Sequence, residues 1–332
     1  MTDQSAYEQF AQSMLQGDSV YIPKILRCMV DEAQAKLLVS LPGTVAEMAE
    51  KMGRSEVEVD ADLKDMFRKG LTFKKIKEGA PIKWRAPSHI AQFHDATIVW
   101  PEATEEFLEN WRLYMENEWP GLAPLIAGFL PKPITRVIPI GKSIETGKME
   151  ILAPDSIRQI VESSTRVAVT KCTCRLTMHK CDAPIEVCLQ INRGADYTID
   201  RGSGREVTKD EAFEIIEQCQ KVGLVHVTMN KHDAGHFICN CCGCCCQAFS
   251  QLISDGVKLC DPSRYQPSVS LDECTACGDC SNRCLFGAIE VKDGIGSAIN
   301  SEKCMGCGQC AIVCDSNAIT MHAVKTPAFI PA

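Results

Sequence analysis

Between Ile22 and Ala86 the hydrophobic spacing shifts from helical to alternating. Pro23 opens a helix whose apolar positions Ile25, Leu26, Met29, Val30, Ala33, Leu37 and Leu38 recur at three- and four-residue steps. Thr44 caps a second helix, Val45 to Met52, which stops at Gly53. Ser55 begins a third, with Val59, Leu63, Met66 and Phe67 on one face and Gly70 closing it. Two short strand-like runs follow, Leu71 to Lys77 and Ile82 to Ala86, around a Glu78-Gly79-Ala80-Pro81 turn.

From His89 to Leu130 the pattern predicts two further helices, with Trp100, Phe107, Trp111, Tyr114 and Trp119 as core aromatics. Prolines at 120, 124, 131 and 133 are expected to break it, and Leu122 to Leu130 is read as core ahead of a partner-facing patch. Ile134 to Val169 reads as strand, turn, helix and strand. A later helix, Lys209 to Val222, has a Thr208/Glu211 capping-box pattern and ends at Gly223. Cys219 lies on its apolar face and is a core thiol, and Cys28 sits in a similar helical setting.

The order of the first three helices and the hairpin resembles a winged helix-turn-helix. A helix that reads DNA presents basic and amide groups to the groove. Here the third helix carries Glu56, Glu58, Asp60, Asp62 and Asp65 against Lys64, Arg68 and Lys69. Lys74, Lys75, Lys77, Lys83 and Arg85 on the wing keep a DNA reading open, and a protein-docking or structural module is the alternative.

The 332 residues are 45% apolar and 23% charged, which makes a globular chain. A net charge of -8 provides no general attraction for phosphate backbones or anionic lipid, so nucleic acid is a poor default partner. Leu122 to Leu130 is too short to span a bilayer, which takes about 20 residues. The 21 cysteines are concentrated between Cys172 and Cys314, and Met1-Thr-Asp-Gln-Ser lacks the features of a secretory signal. The expectation is a soluble cytoplasmic protein in which clustered thiols serve metal or redox chemistry and not disulfides.

The strongest pattern is Cys274-x2-Cys277-x2-Cys280-x3-Cys284 followed by Cys304-x2-Cys307-x2-Cys310-x3-Cys314, every ligand position repeating at an offset of 30. Gly278 matches Gly308, Ala288 matches Ala318 and Ile289 matches Ile319, so the segment is an internal duplication. It resembles the bacterial ferredoxins with two 4Fe-4S clusters, a family in which the fourth cysteine of each run crosses to the other cluster. The resemblance implies one set of Cys274, Cys277, Cys280 and Cys314 and another of Cys304, Cys307, Cys310 and Cys284. Leu285 and Asp315 stand where that family usually has proline, which removes no ligand. Zinc is the competing metal, and the duplicated fourth cysteine argues against it.

A second set lies in the middle: Cys172, Cys174, Cys181 and Cys188, then Cys239, Cys241, Cys242, Cys244, Cys245 and Cys246. Ten thiols exceed the needs of one cube. In extended backbone Cys239, Cys241 and Cys245 face one way and Cys242, Cys244 and Cys246 the other, with Gly243 able to bend the segment. One or two further 4Fe-4S clusters are expected there, the ligand partition open. Cys241-Cys242-Gly243 resembles the Cys-Cys-Gly motif of heterodisulfide reductase subunits, without the distant cysteines of a full copy. Cys260 is either an extra ligand or a loop thiol. Gly141-Lys142-Ser143 resembles the end of a phosphate-binding loop, but Arg136 occupies the place of its first glycine. His232 and His236 flank Asp233 beside an Ala234-Gly235 turn and are assigned no catalytic role.

These readings give an α+β multidomain chain: an arm to residue 20, a winged-helix-like module 21–88, a helical connection 89–133, a Cys-rich α/β centre 134–262, a ferredoxin-like 2x(4Fe-4S) domain 263–326 and a tail 327–332. As a whole it resembles multicluster 4Fe-4S proteins that join a Cys-rich middle to a ferredoxin-like end. With no flavin, nicotinamide or molybdenum motif, the expected function is single-electron relay through three to four clusters. The partner is a redox protein or oxidoreductase subunit of an anaerobic system, and an oligomer is compatible with this. Two other classes stay open: a redox-sensing winged-helix regulator, and a reductase acting on a disulfide or small molecule at the central cysteines.

Overall fold

The computed structural model describes residues 4–144, 153–233, 235–292 and 294–332, so part of the predicted strand-turn-helix-strand stretch, and Ala234, lie outside the described residues. The chain divides into two compact units of mixed α and β structure. One comprises the residues up to Gly121 with Leu176–Met178 and Ile199–Gly204; the other comprises Leu122–Arg175, His179–Thr198 and Arg205–Ala332.

In the first unit the residues expected as an arm form helix α1, Ala6–Ser13, with Phe10 and Ala11 buried. The single helix expected from Pro23 to Leu38 is two, α2 (Ile22–Arg27) and α3 (Glu32–Ser40). Asp31 causes the break, because its carboxylate accepts from Gln34 N at 2.9 Å and so starts a new helix. The restart changes the helical phase, leaving Ala33 exposed and Ala35 buried. Helices α4 (Val45–Met52) and α5 (Glu56–Lys69) each open with a full capping box and end on a left-handed glycine, Gly53 and Gly70. Strands β1 (Phe73–Lys75) and β2 (Lys83–Arg85) pair antiparallel.

Three helices follow where two were expected: α6 (Ile90–Thr97), α7 (Glu105–Asn117) and α8 (Trp119–Phe129). Phe93, Phe107, Trp111 and Tyr114 are buried, and the Trp111 ring lies 5.0 Å from Phe93 and 5.6 Å from Tyr114. The prolines at 120 and 124 do not break α8. Pro120 sits in the first turn, where its missing N–H has no helical acceptor to lose, and Pro124 forfeits one interior bond. The segment Leu122 to Leu130 is not core: Leu125 is 60% and Phe129 87% exposed.

The second unit is built on a seven-stranded sheet of order β6-β4-β5-β8-β7-β3-β9. Its strands are β3 (Thr135–Val137), β4 (Val167–Lys171), β5 (Glu186–Ile191), β6 (Gly204–Glu206), β7 (Val225–Met229), β8 (Phe237–Cys241) and β9 (Cys260–Asp261). β4–β5, β5–β8, β8–β7 and β7–β3 run antiparallel, and β3–β9 parallel. Helices α9 (Ile157–Ser163), α10 (Thr173–Met178), α11 (Arg193–Asp200), α12 (Lys209–Lys221) and α13 (Gln247–Asp255) connect or follow these strands. Thr208 caps α12 by accepting from Glu211 N, while the Glu211 carboxylate pairs with Arg205 at 2.6 Å. Cys219 is a fully buried core thiol. Arg136 is buried against Asp155, which also accepts from Arg264 Nε at 2.7 Å. Gly141-Lys142-Ser143 is a short turn whose Ser143 hydroxyl donates to Ile140 O, and Lys142 pairs with Glu217.

After residue 263 the chain folds as two copies of one pattern. β10 (Tyr265–Val269) pairs with β13 (Ile319–Ala323), and β11 (Ile289–Lys292) with β12 (Gly296–Ile299), all antiparallel. Val269 faces Ile319 in one pair and Ile299 faces Ile289 in the other, so equivalent positions of the duplication occupy equivalent register. Short helices α14 (Asp279–Arg283) and α15 (Gln309–Ile312) each begin after a left-handed glycine, Gly278 and Gly308. Among the described residues no helix is long and apolar enough to cross a membrane.

Candidate metal centres

The C-terminal cysteines ride on loops whose backbone is duplicated as closely as their sequence. Positive φ occurs at Ala276 (56°) and Gly306 (64°), at Gly278 (87°) and Gly308 (82°), and at Gly287 (58°) and Asn317 (55°). Each pair differs by the sequence offset. Left-handed residues alternating with right-handed ones turn successive N–H groups inward, the backbone arrangement that favours anions. Accordingly the Ala276 N–H reaches Cys274 and, with the Ser297 N–H, holds that thiol below its ordinary range. The Gly306 N–H reaches Cys304 and the Gln309 N–H reaches Cys307.

Two small cavities result. Cys274, Cys277, Cys280 and Cys314 line one, with Ser297 and Ile319. Cys284, Cys304, Cys307 and Cys310 line the other, with Phe286 and Met305. Cys280 and Cys310 belong to one apolar cluster with Ile289 and Ile319, packed between the two loops. The environments differ: Cys277 is exposed, whereas burial pushes Cys307 up to about 12 and Cys310 higher still.

In the centre the ten thiols separate into two sets. Cys181, Cys242, Cys244 and Cys245 bring their sulfurs within 4.8 Å of one another, with Cys181 and Cys245 at 3.9 Å and Cys244 and Cys245 at 3.8 Å. The other six interact pairwise in a closed ring. Cys172 neighbours Cys174 and Cys188, Cys174 neighbours Cys246, Cys246 neighbours Cys241, Cys241 neighbours Cys239, and Cys239 neighbours Cys188. The neighbouring Cys174 and Cys188 hold the Cys172 thiol below its ordinary range, as Cys174 and Cys241 do that of Cys246.

This partition corrects the alternation expected from an extended chain, which put Cys245 with Cys239 and Cys241, and Cys246 with Cys242 and Cys244. Strand β8 ends at Cys241, and residues 243–245 form a turn, so the two-residue period fails there. Cys245 is carried to the four-thiol set. Cys246, at the N-cap of α13, returns to the ring. Cys260 joins neither set; it is buried in an apolar cluster and its Sγ donates to Asp261 O at 3.5 Å. His232 and His236 take no part in these sets, and His232 N donates to Pro331 O at 3.0 Å.

The charged group that sequence reading missed is Arg175. Its side chain is 1% exposed, its Nε donates to Pro184 O at 3.0 Å and its Nη1 to Asn240 O at 2.9 Å. Among the described residues no oxygen or nitrogen accepts from Nη2. The charges that face it are sulfur: Cys172, Cys242 and Cys188. Nothing local marks it, since an arginine directly after a cysteine is ordinary on an exposed helix.

Soft thiolates are ligands for iron-sulfur clusters, and four converging sulfurs in a dry cavity fit a cube. Residues 298–320 match the family of 4Fe-4S binding domains, so this segment, which contains Cys304, Cys307, Cys310 and Cys314, is a 4Fe-4S binding domain. Neither a curated protein nor a solved structure matches the chain.

Proposed function

We propose that this chain is an iron-sulfur electron carrier that passes single electrons between a donor and an oxidoreductase partner through clusters at its C-terminal cavities and its central thiols. Cys274, Cys277, Cys280 and Cys314 hold one 4Fe-4S cluster, Cys304, Cys307, Cys310 and Cys284 a second, and Cys181, Cys242, Cys244 and Cys245 a third. When bound, such clusters take up and release one electron each with little rearrangement. The residues of the chain supply ligands, inward N–H groups and burial that excludes water.

One observation carries the reading. A single apolar cluster contains Cys241 and Cys246 of the centre together with Met305, and Cys239, Phe286 and Cys307 pack against it. The second C-terminal cavity and the central Cys239, Cys241 and Cys246 thus share one dry core, next in sequence to the four-thiol set, while Cys277 and Cys244 are exposed. A conductor needs this arrangement: buried stations in series and a surface-reaching thiol at each extreme. The first unit fits a winged-helix-like docking module better than a DNA reader. Of the wing cations, Lys74 lies 3.9 Å from the Phe67 ring centroid and pairs with Asp200, and Arg85 bonds Gln92 and stacks on Phe73.

The test is anaerobic purification of the full chain with iron and sulfide analysis, followed by a redox titration monitored by electron paramagnetic resonance. At least about twelve iron atoms per chain and several one-electron transitions at low potential are expected. A colourless protein, zinc in place of iron, or about eight iron atoms, which leaves the centre empty, overturns the relay through the centre.

A further inference from the structure

We propose that the ring of Cys172, Cys174, Cys188, Cys239, Cys241 and Cys246 holds an iron-sulfur cluster of its own, distinct from one at Cys181, Cys242, Cys244 and Cys245, with Arg175 as the buried counter-charge between them. The inference rests on the reading of the protein as an iron-sulfur carrier and adds a fourth station to it.

Three features argue for a binding site over a group of structural thiols. First, the six sulfurs come from three separate pieces of chain: residues 172–174 at the start of α10, Cys188 in β5, and Cys239 to Cys246 around the end of β8. Local sequence proximity does not assemble them; the fold does. Second, none of the cysteines among the described residues is joined in a disulfide, although the ring thiols neighbour one another. Vicinal thiols that are not joined as disulfides are suited to sharing a metal.

The third feature is Arg175. A guanidinium this deeply buried is costly unless an anion compensates it. Among the described residues no carboxylate pairs with it, two of its nitrogens are spent on backbone carbonyls, and Nη2 is left without an oxygen or nitrogen acceptor. The groups it faces are Cys172 and Cys188 of the ring and Cys242 of the four-thiol set. Thiolates committed to a metal carry the missing negative charge, on both sides of the same cation. A cube takes four ligands, so two ring thiols stand beside it as neighbours and not as ligands.

The experiment counts iron in the anaerobically prepared full chain and in two variants. The wild type is expected to hold about sixteen iron atoms. Cys181→Ala with Cys244→Ala breaks the four-thiol set, and Cys172→Ala, Cys239→Ala and Cys246→Ala together leave the ring three thiols, one fewer than a cube uses. Each variant is expected to lose about four iron atoms, and the two losses to add when combined. A ring variant with undiminished iron, or losses that fail to add because both sets serve one cluster, overturns the proposal. If the ring variant fails to fold, the wild-type count still decides. About twelve iron atoms refute two distinct central clusters and leave the relay intact, whereas about eight or fewer refute the central relay itself.

Discussion

Gln309 donates from Nε2 to the backbone oxygen of Leu224 at 2.7 Å, a hydrogen bond between the second cysteine loop and the residue that leads into β7. Its Oε1 accepts from Arg283 Nε at 2.9 Å, and Arg283 in turn donates to the carbonyls of Gln220 and Lys221 at the end of α12. A side chain lying between Cys307 and Cys310 in sequence thus joins both copies of the duplication to the central sheet. Gln309→Ala leaves a buried carbonyl unpaired and is expected to cost about 2 kcal/mol in urea unfolding of the apo chain. In the loaded protein, iron held by Cys304, Cys307 and Cys310 should escape to a chelator faster than iron at the Cys274 loop. Equal rates at the two loops would show that Gln309 does not secure its own.

Gly306 and Ala276 occupy equivalent places with nearly the same positive φ, yet only one can carry a methyl group. A Cβ at Gly306 overlaps the Tyr265 carbonyl oxygen and Ser263 Oγ, and the Tyr265 oxygen is backbone that must shift. Gly306→Ala should therefore lose about four iron atoms. Gly278→Ala, where a Cβ meets nothing within 4 Å, should keep its iron and cost about 1 kcal/mol of backbone strain. Iron analysis of the pair separates steric overlap from dihedral preference.

Arg175 offers a test through potential. Removing a buried positive charge disfavours the added electron, so Arg175→Met should move the central transitions to more negative potential, and Arg175→Lys should restore part of the shift. The C-terminal transitions should stay put. Electron paramagnetic resonance titration of the three proteins reads this, and central potentials unchanged in the methionine variant would discard the counter-charge.

His226 is 1% exposed, its Nδ1 sits 2.6 Å from Asn240 Oδ1, and burial pushes its pKa down to about 4. Asn240 lies between Cys239 and Cys241 and also donates to Val187 O at 2.6 Å. The unfolded chain binds this proton near pH 6.5 and the folded chain only near 4. Stability is therefore fully present above about pH 6.5 and declines as pH falls toward 4, by about 3 kcal/mol. Urea unfolding of the apo chain between these values should show the slope, and His226→Gln should flatten it. An unchanged slope would assign it to other groups.

The capped helices, the hairpin of the first unit and the duplicated cysteine loops were legible because each is written within one turn or one short repeat. Thr44, Ser55 and Thr208 mark helix starts by bonds to residues three places on. Asp31 uses the same bond, but the apolar spacing from Ile25 to Leu38 runs through it unbroken and hides the restart. Pro120 and Pro124 misled in the opposite direction, since a helix absorbs a proline wherever the lost bond is cheap.

By itself the amino-acid sequence determined which thiols are candidate ligands and how the C-terminal loops repeat, because that repeat is written in fixed spacing and in left-handed turns that particular residues permit. Only tertiary structure decided how the central thiols divide. A turn after Cys242 sends Cys245 one way and Cys246 the other, and strands distant in sequence bring Cys172 and Cys188 to meet them. The burial of Arg175 was decided at that level too, because a charge is costly only by virtue of what surrounds it, and its surroundings come from three remote stretches of chain.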